Sequence, residues 1–590
     1  MRAAAAMASR RLNYASSPLL ASKTPPWRSR FVVALMALGS AVLLGRAAYV
    51  QIVNAPFYVD KGEERYAYRI PLAANRGRIL DRNGNVLATS VPVPSVWMAP
   101  KQFRDAAPGP RQRAELARLL NMPLAELDER SQSTNDFVWL RRKVDEPVWQ
   151  KIQALRLKGV HHQREFQRKY PEGETVAQVV GRTTFVDDVG QEGIELHFQR
   201  QLQGRDGEHR VVRNRLGHVV DELAERREPV NGQDVHLSLD SRVQYFAWHS
   251  VREAVEQHGA RSGSAVVLDA RTGEILALAN VPGGAMRNAG IAERQRNRAL
   301  TDVFEPGSTV KPFIVAWAMQ TRKLSPQTTL PNEPLPVPGN LFVRDTHPLP
   351  RPRITLAEIV ARSSNAGTAR LAMQMDRSEM HGLLAGLGFG KRPQIEFPGA
   401  VSGRLRKADS WMPIDQATMA YGYGMSTSLL QLARAYTVFA RDGELSDLSI
   451  LKQPGPLPAT RVLAPETART MREMLGGVTQ EGGTATRAHV EGYSVGGKTG
   501  TAHTHVQGQG YDRSRYRAWF VGLSPLSDPR IVVAVMIDQP GAQNVHTGGA
   551  VAAPIFSQIV QQTLRTMGVQ PDLEVRSRIR LLPDDGGGTP

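Results

Sequence analysis

FEPGSTVKPF, residues 304–313, places a Pro-Gly turn directly before a serine, and a lysine three residues after that serine. The Pro-Gly pair ends an extended segment sharply, and Pro312 is tolerated in a helix only within the first turn, so a helix is predicted to begin near Ser308. Ser308 and Lys311 would then share one face of the helix, with the hydroxyl at its positively polarised start. A hydroxyl beside an amine in this position indicates an activated nucleophile and its base.

The Ser-x-x-Lys spacing is weak evidence by itself, because a serine cap followed by a surface lysine has the same spacing. The chain contains a second copy, Ser449 and Lys452, in the stretch LSILKQPGPLP. Its prolines and glycine predict a loop rather than a helix start. Ser308 therefore needs support from other parts of the chain.

The composition predicts a multidomain protein that does not bind nucleic acid. The chain has 590 residues, 41% of them hydrophobic, which is enough for two or three domains. The formal charge of +18 is concentrated partly in residues 1–30, which carry six cations and no acid, and is otherwise spread thinly. No basic stripe or zinc-finger spacing is present. The absence of cysteine excludes disulfides and thiolate metal sites, and no metal or cofactor is predicted.

Residues 31–53, FVVALMALGSAVLLGRAAYVQIV, are apolar except at three positions and would span roughly 34 Å as a helix, enough to cross a bilayer. The cations of residues 1–30 predict a cytoplasmic N-terminal tail, with the rest of the chain in the periplasm. A cleaved signal peptide is the alternative, but no clear small-x-small cleavage site is present. No second apolar stretch of this length follows, so a single-pass anchor in the inner membrane is predicted.

Two regions with different sequence patterns follow the anchor. Residues 54–232 mix charged segments with turn signals, such as the Asn83-Gly84 hairpin signal in RGRILDRNGNVLA, and predict an elongated, β-rich pedestal domain. Residues 233–570 begin with a strand, an amphipathic helix and a second hairpin around Thr272-Gly273. This part of the chain predicts an α+β domain with an antiparallel sheet and helices inserted midway.

The remaining elements of the second domain complete that prediction. Helices cluster between residues 310 and 439, and the stretch IVVAVMID, residues 531–538, closes the domain with a strand. Residues 571–590, which end in PDDGGGTP, predict a disordered tail.

The stretch RITLAEIVARSSNAGTARLAMQM interrupts a helical pattern with SSN. Thr355 and Glu358 predict a capping box for the first helix, while Ser363 and Asn365 favour a loop or cap where the second begins. Exposed side chains there could reach into a cleft. Ordinary capping is the alternative, and residues 133–135 show how easily the Ser-x-Asn pattern arises.

The stretch GGKTGT, residues 496–501, completes a G-x-x-x-x-G-K-[ST] pattern with Gly492, which makes a P-loop nucleotidase a remote alternative. A P-loop must open a helix, whereas glycines interrupt the sequence after Lys498. As an edge strand, the segment would direct alternate side chains toward a cleft. Lys498, Thr499 and Thr501 could then hold a substrate carboxylate, and an N–H of the strand could face an oxyanion.

Together, Ser308-x-x-Lys311, Ser363-x-Asn365 and Lys498-Thr499-Gly500 resemble, in that order, the three motifs of the penicillin-recognising serine acyltransferases. The stretches RGRILDRNG, GQEGIE, NRALTDVFEPGSTVKPF, YGYGMSTSLLQLARAY and GGAVAAPIF are similar to class B penicillin-binding proteins. The last three are most similar to the cell-division transpeptidases that crosslink septal peptidoglycan. The resemblance covers roughly residues 30–571.

The resemblance implies a role for each motif residue. Ser308 would attack the penultimate D-Ala carbonyl of a stem peptide, and Lys311 would accept the serine's proton. Ser363 would relay a proton to the leaving D-Ala, and Asn365 would hold the peptide amide. For Lys311 to act as a base, its pKa must fall by roughly three units, through desolvation and a nearby cation.

The third motif would bind the rest of the substrate. Lys498, Thr499 and Thr501, in the strand that also contains Gly500, would bind the terminal carboxylate. The N–H groups of Ser308 and Thr501 would form the oxyanion hole, and the charge of Lys498 would help to lower the pKa of Lys311.

The resemblance also implies the partners: peptidoglycan stem peptides, β-lactams, and a multi-spanning glycan-strand polymerase with other cell-division membrane proteins. A wall-elongation transpeptidase remains an alternative that differs in partners more than in chemistry. A D,D-carboxypeptidase side activity is compatible with the same acyl-enzyme. A bifunctional synthase would need a glycosyltransferase motif that residues 54–232 lack.

Overall fold

The computed structural model describes residues 25–58, 61, 67–213, 219–506, 510–541 and 547–574. Most of the predicted cytoplasmic tail and the end of the predicted disordered tail lie outside the described residues. The chain divides into two compact units, one of residues 1–72 and 206–229, the other of residues 73–205 and 230–590.

The first unit contains the predicted anchor. An α-helix spans Pro26–Ala48 and continues as one π-helical segment, Tyr49–Val53. The helix Pro26–Val53 has 28 residues and contains an 18-residue window with a mean hydropathy of 2.0, none of it buried, so it is long and apolar enough to cross a membrane. It begins five residues before the predicted span, because Pro26 is favourable at the first helical position. Ala67–Leu72, Gly207–Arg213 and Val219–Arg227 form a separate three-stranded antiparallel sheet.

The second unit begins with a mixed sheet built on the long strand Val86–Met98. The Asn83-Gly84 hairpin is confirmed: Ile79–Leu80 and the long strand pair antiparallel across it, and Gly84 has a φ of 86°. The other partners are Val138–Arg141, Val160–Lys169 and, parallel to Ile79–Leu80, Val235–His236. Four helices that the turn signals did not predict cover one face: Pro100–Asp105, Pro110–Leu119, Leu124–Ser131 and Glu146–Ala154.

Two of the stretches that resemble class B penicillin-binding proteins meet in this region. Glu195 of GQEGIE is fully buried, and its carboxylate lies 2.6 Å from Arg76 of RGRILDRNG and 2.7 Å from Arg168. A buried carboxylate requires such partners, because an unpaired charge in the interior is very costly. The two stretches thus form one internal ion cluster.

The sheet that carries Lys498 has five antiparallel strands, which we number β1 to β5 in chain order: Ser262–Asp269, Ile275–Pro282, Gly496–Val506, Gly510–Ser524 and Ile531–Asp538. Their spatial order is β2-β1-β5-β4-β3, so β3 lies at one edge. The hairpin at Thr272-Gly273 is confirmed by the β1–β2 pairing. Every residue of β1 and β5 is buried.

Helices pack on both sides of this sheet, and those predicted between residues 310 and 439 are present. We number the four that shape the site α1 to α4: Lys311–Arg322, Leu356–Arg362, Asn365–Ala372 and Gly548–Thr566. The other long helices are Ser241–Gln257, Arg377–Gly386, Pro413–Met419, Leu429–Ala440 and Pro465–Gly476. The prediction that β5 closes the domain is wrong. Helix α4 follows it, and its apolar residues, such as Val551, Ile555 and Phe556, are buried.

Candidate active site

Ser308 and Lys311 lie at the junction of two helical segments. A 3₁₀ turn spans Gly307–Val310, and α1 begins at Lys311, so the predicted helix starts at the expected place but with a tighter first turn. Gly307 has a φ of 54°, and its N–H donates to the carbonyl of Gly422 at 3.1 Å. The N–H of Ser308 lies in the first turn, where backbone donors have no acceptor within the helix.

Lys311 brings the first two motifs together. Its side chain is fully buried, and Nζ donates to Ser363 Oγ at 3.0 Å and to Asn365 Oδ1 at 2.6 Å. Nζ also donates to the backbone carbonyl of Ser363. Within the described residues, no hydrogen bond joins the Ser308 hydroxyl directly to Lys311. Such catalytic contacts are often loose before substrate binds.

The short break between α2 and α3 places the side chains of Ser363 and Asn365 next to Lys311. The predicted capping box is confirmed, because Thr355 Oγ1 accepts the N–H of Glu358, and Glu358 accepts the N–H of Thr355. The cap of α3 is Ser364, whose Oγ accepts the N–H of Gly367 at 2.9 Å. Ser363 instead adopts a left-handed conformation with a φ of 63°. Capping by Ser364 leaves the two flanking side chains available to Lys311.

Asp345 is a positioning residue that the sequence did not reveal. Its carboxylate accepts hydrogen bonds from Ser364 Oγ at 2.6 Å and from the N–H of Ala366 at 2.8 Å. The neighbouring carbonyl of Arg344 accepts the Nδ2 group of Asn365 at 3.2 Å. These bonds fix the start of α3, and with it the direction of Asn365. Asp345 follows a short strand and belongs to no recognisable motif, so no sequence signal could have identified it.

Lys498 to Thr501 lie on the edge strand β3, as predicted, and no helix starts at Lys498. Lys498 is fully buried, and Nζ lies 3.3 Å from Thr499 Oγ1. Thr499 Oγ1 is 3.0 Å from Thr484 Oγ1, and Thr501 Oγ1 accepts the N–H of Gly548, the first residue of α4, at 2.9 Å. A cation and two hydroxyls therefore line one edge of the sheet. The strand geometry excludes the P-loop alternative, which requires a helix at this point.

The indole of Trp519, on β4, packs against both the turn that carries Ser308 and the edge strand β3. A Cβ atom added to Gly500 would lie 2.1 Å from Cε2 of the indole, and one added to Gly307 would lie 3.2 Å from Cζ2. Phe304 packs edge-on against the same indole, with 5.0 Å between ring centroids. The glycine of the third motif is therefore required because the indole packs directly against the strand.

Burial lowers the pKa of both lysines, and the charge of Lys498 also lowers the pKa of Lys311. Desolvation lowers the pKa of Lys311 well below its usual value, and the charge of Lys498 lowers it further, whereas Asp345 raises it. Desolvation also lowers the pKa of Lys498, to about 7. Lys311 is thus suited to accept a proton. Lys498 is charged below neutral pH, and a bound carboxylate would favour its charged form.

Comparison with known proteins agrees with this arrangement. A family model described as the penicillin binding protein transpeptidase domain matches residues 263–561, and a model of the penicillin-binding protein dimerisation domain matches residues 71–237. The chain belongs to the class B penicillin-binding proteins. The family resemblance and the α+β fold expected from the sequence are thereby confirmed.

Individual relatives extend over nearly the whole of this penicillin-binding protein. The probable peptidoglycan D,D-transpeptidase PenA of Neisseria gonorrhoeae is 41% identical, over 92% of this chain and 93% of its own length. The peptidoglycan D,D-transpeptidase FtsI of Escherichia coli K12 is 36% identical, over 95% and 96%. Among solved structures, the transpeptidase domain of Burkholderia pseudomallei penicillin-binding protein 3 is 43% identical, with a TM-score of 0.52, and covers 57% of this chain and 98% of its own. A peptidoglycan synthetase from Bifidobacterium adolescentis is 25% identical, with a TM-score of 0.67, over 86% and 98%.

The second Ser-x-x-Lys copy of this penicillin-binding protein has a structural role. Ser449 is fully buried, and its Oγ lies 3.0 Å from the carboxylate of Glu396 and 3.1 Å from the carbonyl of Leu451, either of which can accept its one proton. Lys452 points away and donates to the carbonyl of Arg82 at 2.9 Å. Among the described residues, Ser449 therefore has no basic group beside it.

Proposed function

We propose that this penicillin-binding protein is a peptidoglycan D,D-transpeptidase that works through an acyl-enzyme on Ser308. The observation that supports it most strongly is the buried amine of Lys311, which contacts Ser363 and Asn365 and has a pKa lowered by burial and by Lys498. A buried amine three residues from a serine, beside a second hydroxyl, matches the requirements of serine acylation. The names of the relatives support peptidoglycan as the substrate.

In acylation, the neutral amine of Lys311 takes the proton of Ser308 as its Oγ attacks the penultimate D-Ala carbonyl. The oxyanion that forms accepts hydrogen bonds from the N–H groups of Ser308 and Thr501, and each such donor contributes roughly 3 to 4 kcal/mol to transition-state stabilisation. Ser363 passes a proton to the amine of the departing D-Ala. The products are free D-Ala and an ester on Ser308.

Substrate binding uses the third motif. Lys498, Thr499 and Thr501 hold the terminal carboxylate, and Asn365 holds the peptide amide. In the second half of the reaction, an amine of another stem peptide attacks the ester and gives up a proton to Lys311, which returns a proton to Ser308 Oγ as the ester bond breaks. Attack by water instead would give a D,D-carboxypeptidase side reaction.

Mass spectrometry of the benzylpenicillin-labelled protein tests this mechanism directly. Opening of the β-lactam ring releases no leaving group, so the adduct should add the mass of one whole penicillin and should map to the peptide that contains Ser308. Ser308→Ala should remove the adduct, whereas Ser449→Ala, which changes the other copy of the motif, should keep it. An adduct on any other serine would refute the assignment.

We infer further that the enzyme acts at the division septum, with the anchor contacting a multi-spanning glycan-strand polymerase and other cell-division membrane proteins. The support is the similarity to FtsI together with the exposed apolar helix Pro26–Val53. Exchange of residues 31–53 for an unrelated single-span helix should preserve penicillin labelling but abolish support of division. Full complementation would show that the helix is only a tether. Restoration of cell elongation instead of division would favour the wall-elongation alternative.

A further inference from the structure

A cavity of about 380 Å³ lies beside the active site, along the part of β3 that follows Thr501. Its walls include Ala502 and Thr504 of β3, together with Glu305, three residues before the nucleophile. The proposed mechanism uses none of these three residues. The cavity therefore continues the binding cleft beyond the catalytic groups.

The direction of β3 determines which part of a substrate would reach this cavity. The terminal carboxylate would lie at Thr499 and Thr501, and the scissile carbonyl at the N–H of Thr501. A peptide that adds to an edge strand advances about 3.3 Å per residue, so the residue before the two D-alanines would lie alongside Ala502 to Thr504. Its side chain would enter the cavity.

One wall of the cavity carries a carboxylate without a cation partner. Glu305 Oε1 accepts the N–H of Gly424 at 2.9 Å, and Oε2 accepts the hydroxyl of Tyr511 at 2.7 Å. No ion pair involves Glu305 in the part of the chain that the structure describes. Burial, followed by the negative charge of Glu305, raises the pKa of Tyr423, and the same two causes contribute to the raised pKa of Tyr511.

The two tyrosine rings lie 6.4 Å apart between centroids, at an interplanar angle of 73°. Tyrosine faces attract cations, and a carboxylate beside them strengthens that attraction. Glu305 and Tyr511 both line the cavity, and Tyr423 packs against Tyr511 from outside it, so this wall is suited to an ammonium group.

Another wall carries the opposite charge. Arg404 lines the same cavity with an exposed side chain, and no carboxylate pairs with its guanidinium among the described residues. Arg517, which also lines the cavity, already pairs with Asp538 at 2.8 Å. Polar atoms of three further lining residues, His503 Nδ1, Thr504 Oγ1 and Trp519 Nε1, are buried without a hydrogen-bond partner within the described residues. A cavity with these features suits a polar ligand of mixed charge.

We propose that this cavity binds the side-chain end of the residue that precedes the two D-alanines of the donor stem peptide, and that this end carries an ammonium and a carboxylate on one carbon. The proposal rests on the proposed transpeptidase function. Transpeptidation joins two copies of the same stem, so the amine that one copy offers as acceptor is also present on the donor. Glu305 would bind the ammonium, and Arg404 would bind the carboxylate.

The test uses the purified full-length protein in detergent micelles and four pentapeptide stems that end in D-Ala-D-Ala. Their third residues are meso-diaminopimelate, its side-chain carboxamide, lysine and Nε-acetyllysine. The measurements are kcat/KM for D-Ala release and protection of Ser308 from fluorescent penicillin. The parent should prefer diaminopimelate to its amide, and lysine to acetyllysine, each by about tenfold, as expected for a charge-assisted hydrogen bond worth roughly 1.4 kcal/mol.

Two variants that each remove one charge separate the two contacts. Glu305→Gln should lose the preference for lysine over acetyllysine, and Arg404→Gln should lose the preference for diaminopimelate over its amide. Each preference is a ratio within one protein, so a general loss of activity cancels. Glu466→Gln and Arg392→Gln change exposed residues outside the cavity and should keep both preferences.

Failure of the cavity proposal and failure of the proposed function give different results. Two results would overturn the cavity proposal alone, provided that benzylpenicillin still labels Ser308 normally. In the first, the enzyme shows no preference among the four stems. In the second, none of the stems reacts or protects Ser308. Retention of both preferences in Glu305→Gln and Arg404→Gln would also overturn it. Absence of labelling in the parent would overturn the proposed function itself.

Discussion

Lys311 Nζ lies 2.6 Å from Asn365 Oδ1 and 3.0 Å from Ser363 Oγ, although more than fifty residues separate the lysine from both. A charged lysine has three N–H donors, and this one also donates to the carbonyl of Ser363, so all three are used. A neutral lysine has only two donors and one lone pair. Loss of the proton thus lets the hydroxyl of Ser363 reverse its bond and donate to Nζ. In the proposed mechanism, this reversal would give a proton a path between Lys311 and the departing D-Ala.

The first prediction separates the two lysines. Arginine cannot lose its proton in a protein, so Lys311→Arg should slow penicillin acylation of Ser308 by roughly 10²- to 10⁴-fold, the usual contribution of a general base. Lys498→Arg keeps the charge that holds the carboxylate and should retain weakened but measurable acylation. The measurement is the labelling rate with fluorescent penicillin, and thermal melts check the fold. If Lys311→Arg is labelled at nearly the parent rate, Lys311 is not the base.

The second prediction concerns pH. The proposed mechanism needs a neutral Lys311 and a charged Lys498, so kcat/KM should rise with pH as Lys311 loses its proton and fall above about pH 7 as Lys498 loses its proton. The two lysines interact, so each apparent pKa belongs to the pair. Bound carboxylate raises the pKa of Lys498, and the fall in kcat should therefore occur at higher pH than the fall in kcat/KM.

Lys498→Arg provides the control for this pH profile. Its guanidinium stays charged throughout the accessible range, so the alkaline fall should disappear while the acid limb remains. An alkaline fall near pH 7 that persists in Lys498→Arg would assign it to another group.

The third prediction concerns Asp345. Asp345→Asn removes a negative charge that raises the pKa of Lys311, so the acid limb of the acylation profile should move to lower pH. The variant should also weaken the hydrogen bonds to Ser364 and Ala366 and cost about 2 kcal/mol in unfolding free energy, as for bonds to charged groups. Asp409→Asn, at an exposed position, should change neither quantity. A lower stability with an unmoved acid limb would limit Asp345 to a structural role.

The fourth prediction concerns orientation in the membrane. Because the cations of residues 1–30 precede the single apolar helix, the N-terminus should stay in the cytoplasm and the catalytic domain should lie in the periplasm. A periplasm-dependent reporter fused after Pro590 should be active, and the same reporter fused before Met1 should be inactive. Strong activity of a cytoplasm-dependent reporter at the C-terminus would contradict this orientation.

The sequence predicts most strongly where local rules operate. The hairpins at Asn83-Gly84 and Thr272-Gly273, the capping box at Thr355 and the edge strand at Lys498 follow from turn chemistry, capping and the glycine pattern, and the structure contains each of them. The three catalytic motifs could be grouped only through the family resemblance, because their spacing along the chain does not reveal that Lys311 contacts Asn365.

Other features depend on tertiary contacts that leave no local pattern. Asp345 acts through the start of a helix that begins twenty residues later, and the helices between residues 100 and 154 lie in a stretch where turn signals dominate. Helix α4 was missed because its glycine-rich start, GGAVAAPIF, predicts no cap, whereas the buried face formed by Val551 and Phe556 stabilises it. Trp519 is recognisable only in three dimensions, through its contact with Gly500 on the neighbouring strand.

The last prediction uses that contact. A Cβ atom at residue 500 would lie 2.1 Å from the indole of Trp519, far closer than packed atoms allow, so Gly500→Ala must push β3 away from β4. The displacement would move the N–H of Thr501 relative to Ser308, and overpacking of this kind costs roughly 1–3 kcal/mol. Gly500→Ala should therefore lower both the melting temperature and the rate of penicillin acylation.

A second substitution distinguishes this clash from a general effect of alanine. Trp519→Leu makes room beneath the strand, so the double variant Gly500→Ala/Trp519→Leu should be acylated faster than Gly500→Ala, although Trp519→Leu alone lowers stability by leaving a cavity. Gly382→Ala, at a helical position with no atom within 4 Å of the added Cβ, should leave acylation unchanged. If the effects of the two changes on acylation simply add, the indole does not set the position of the strand, and the requirement for glycine at residue 500 has another cause.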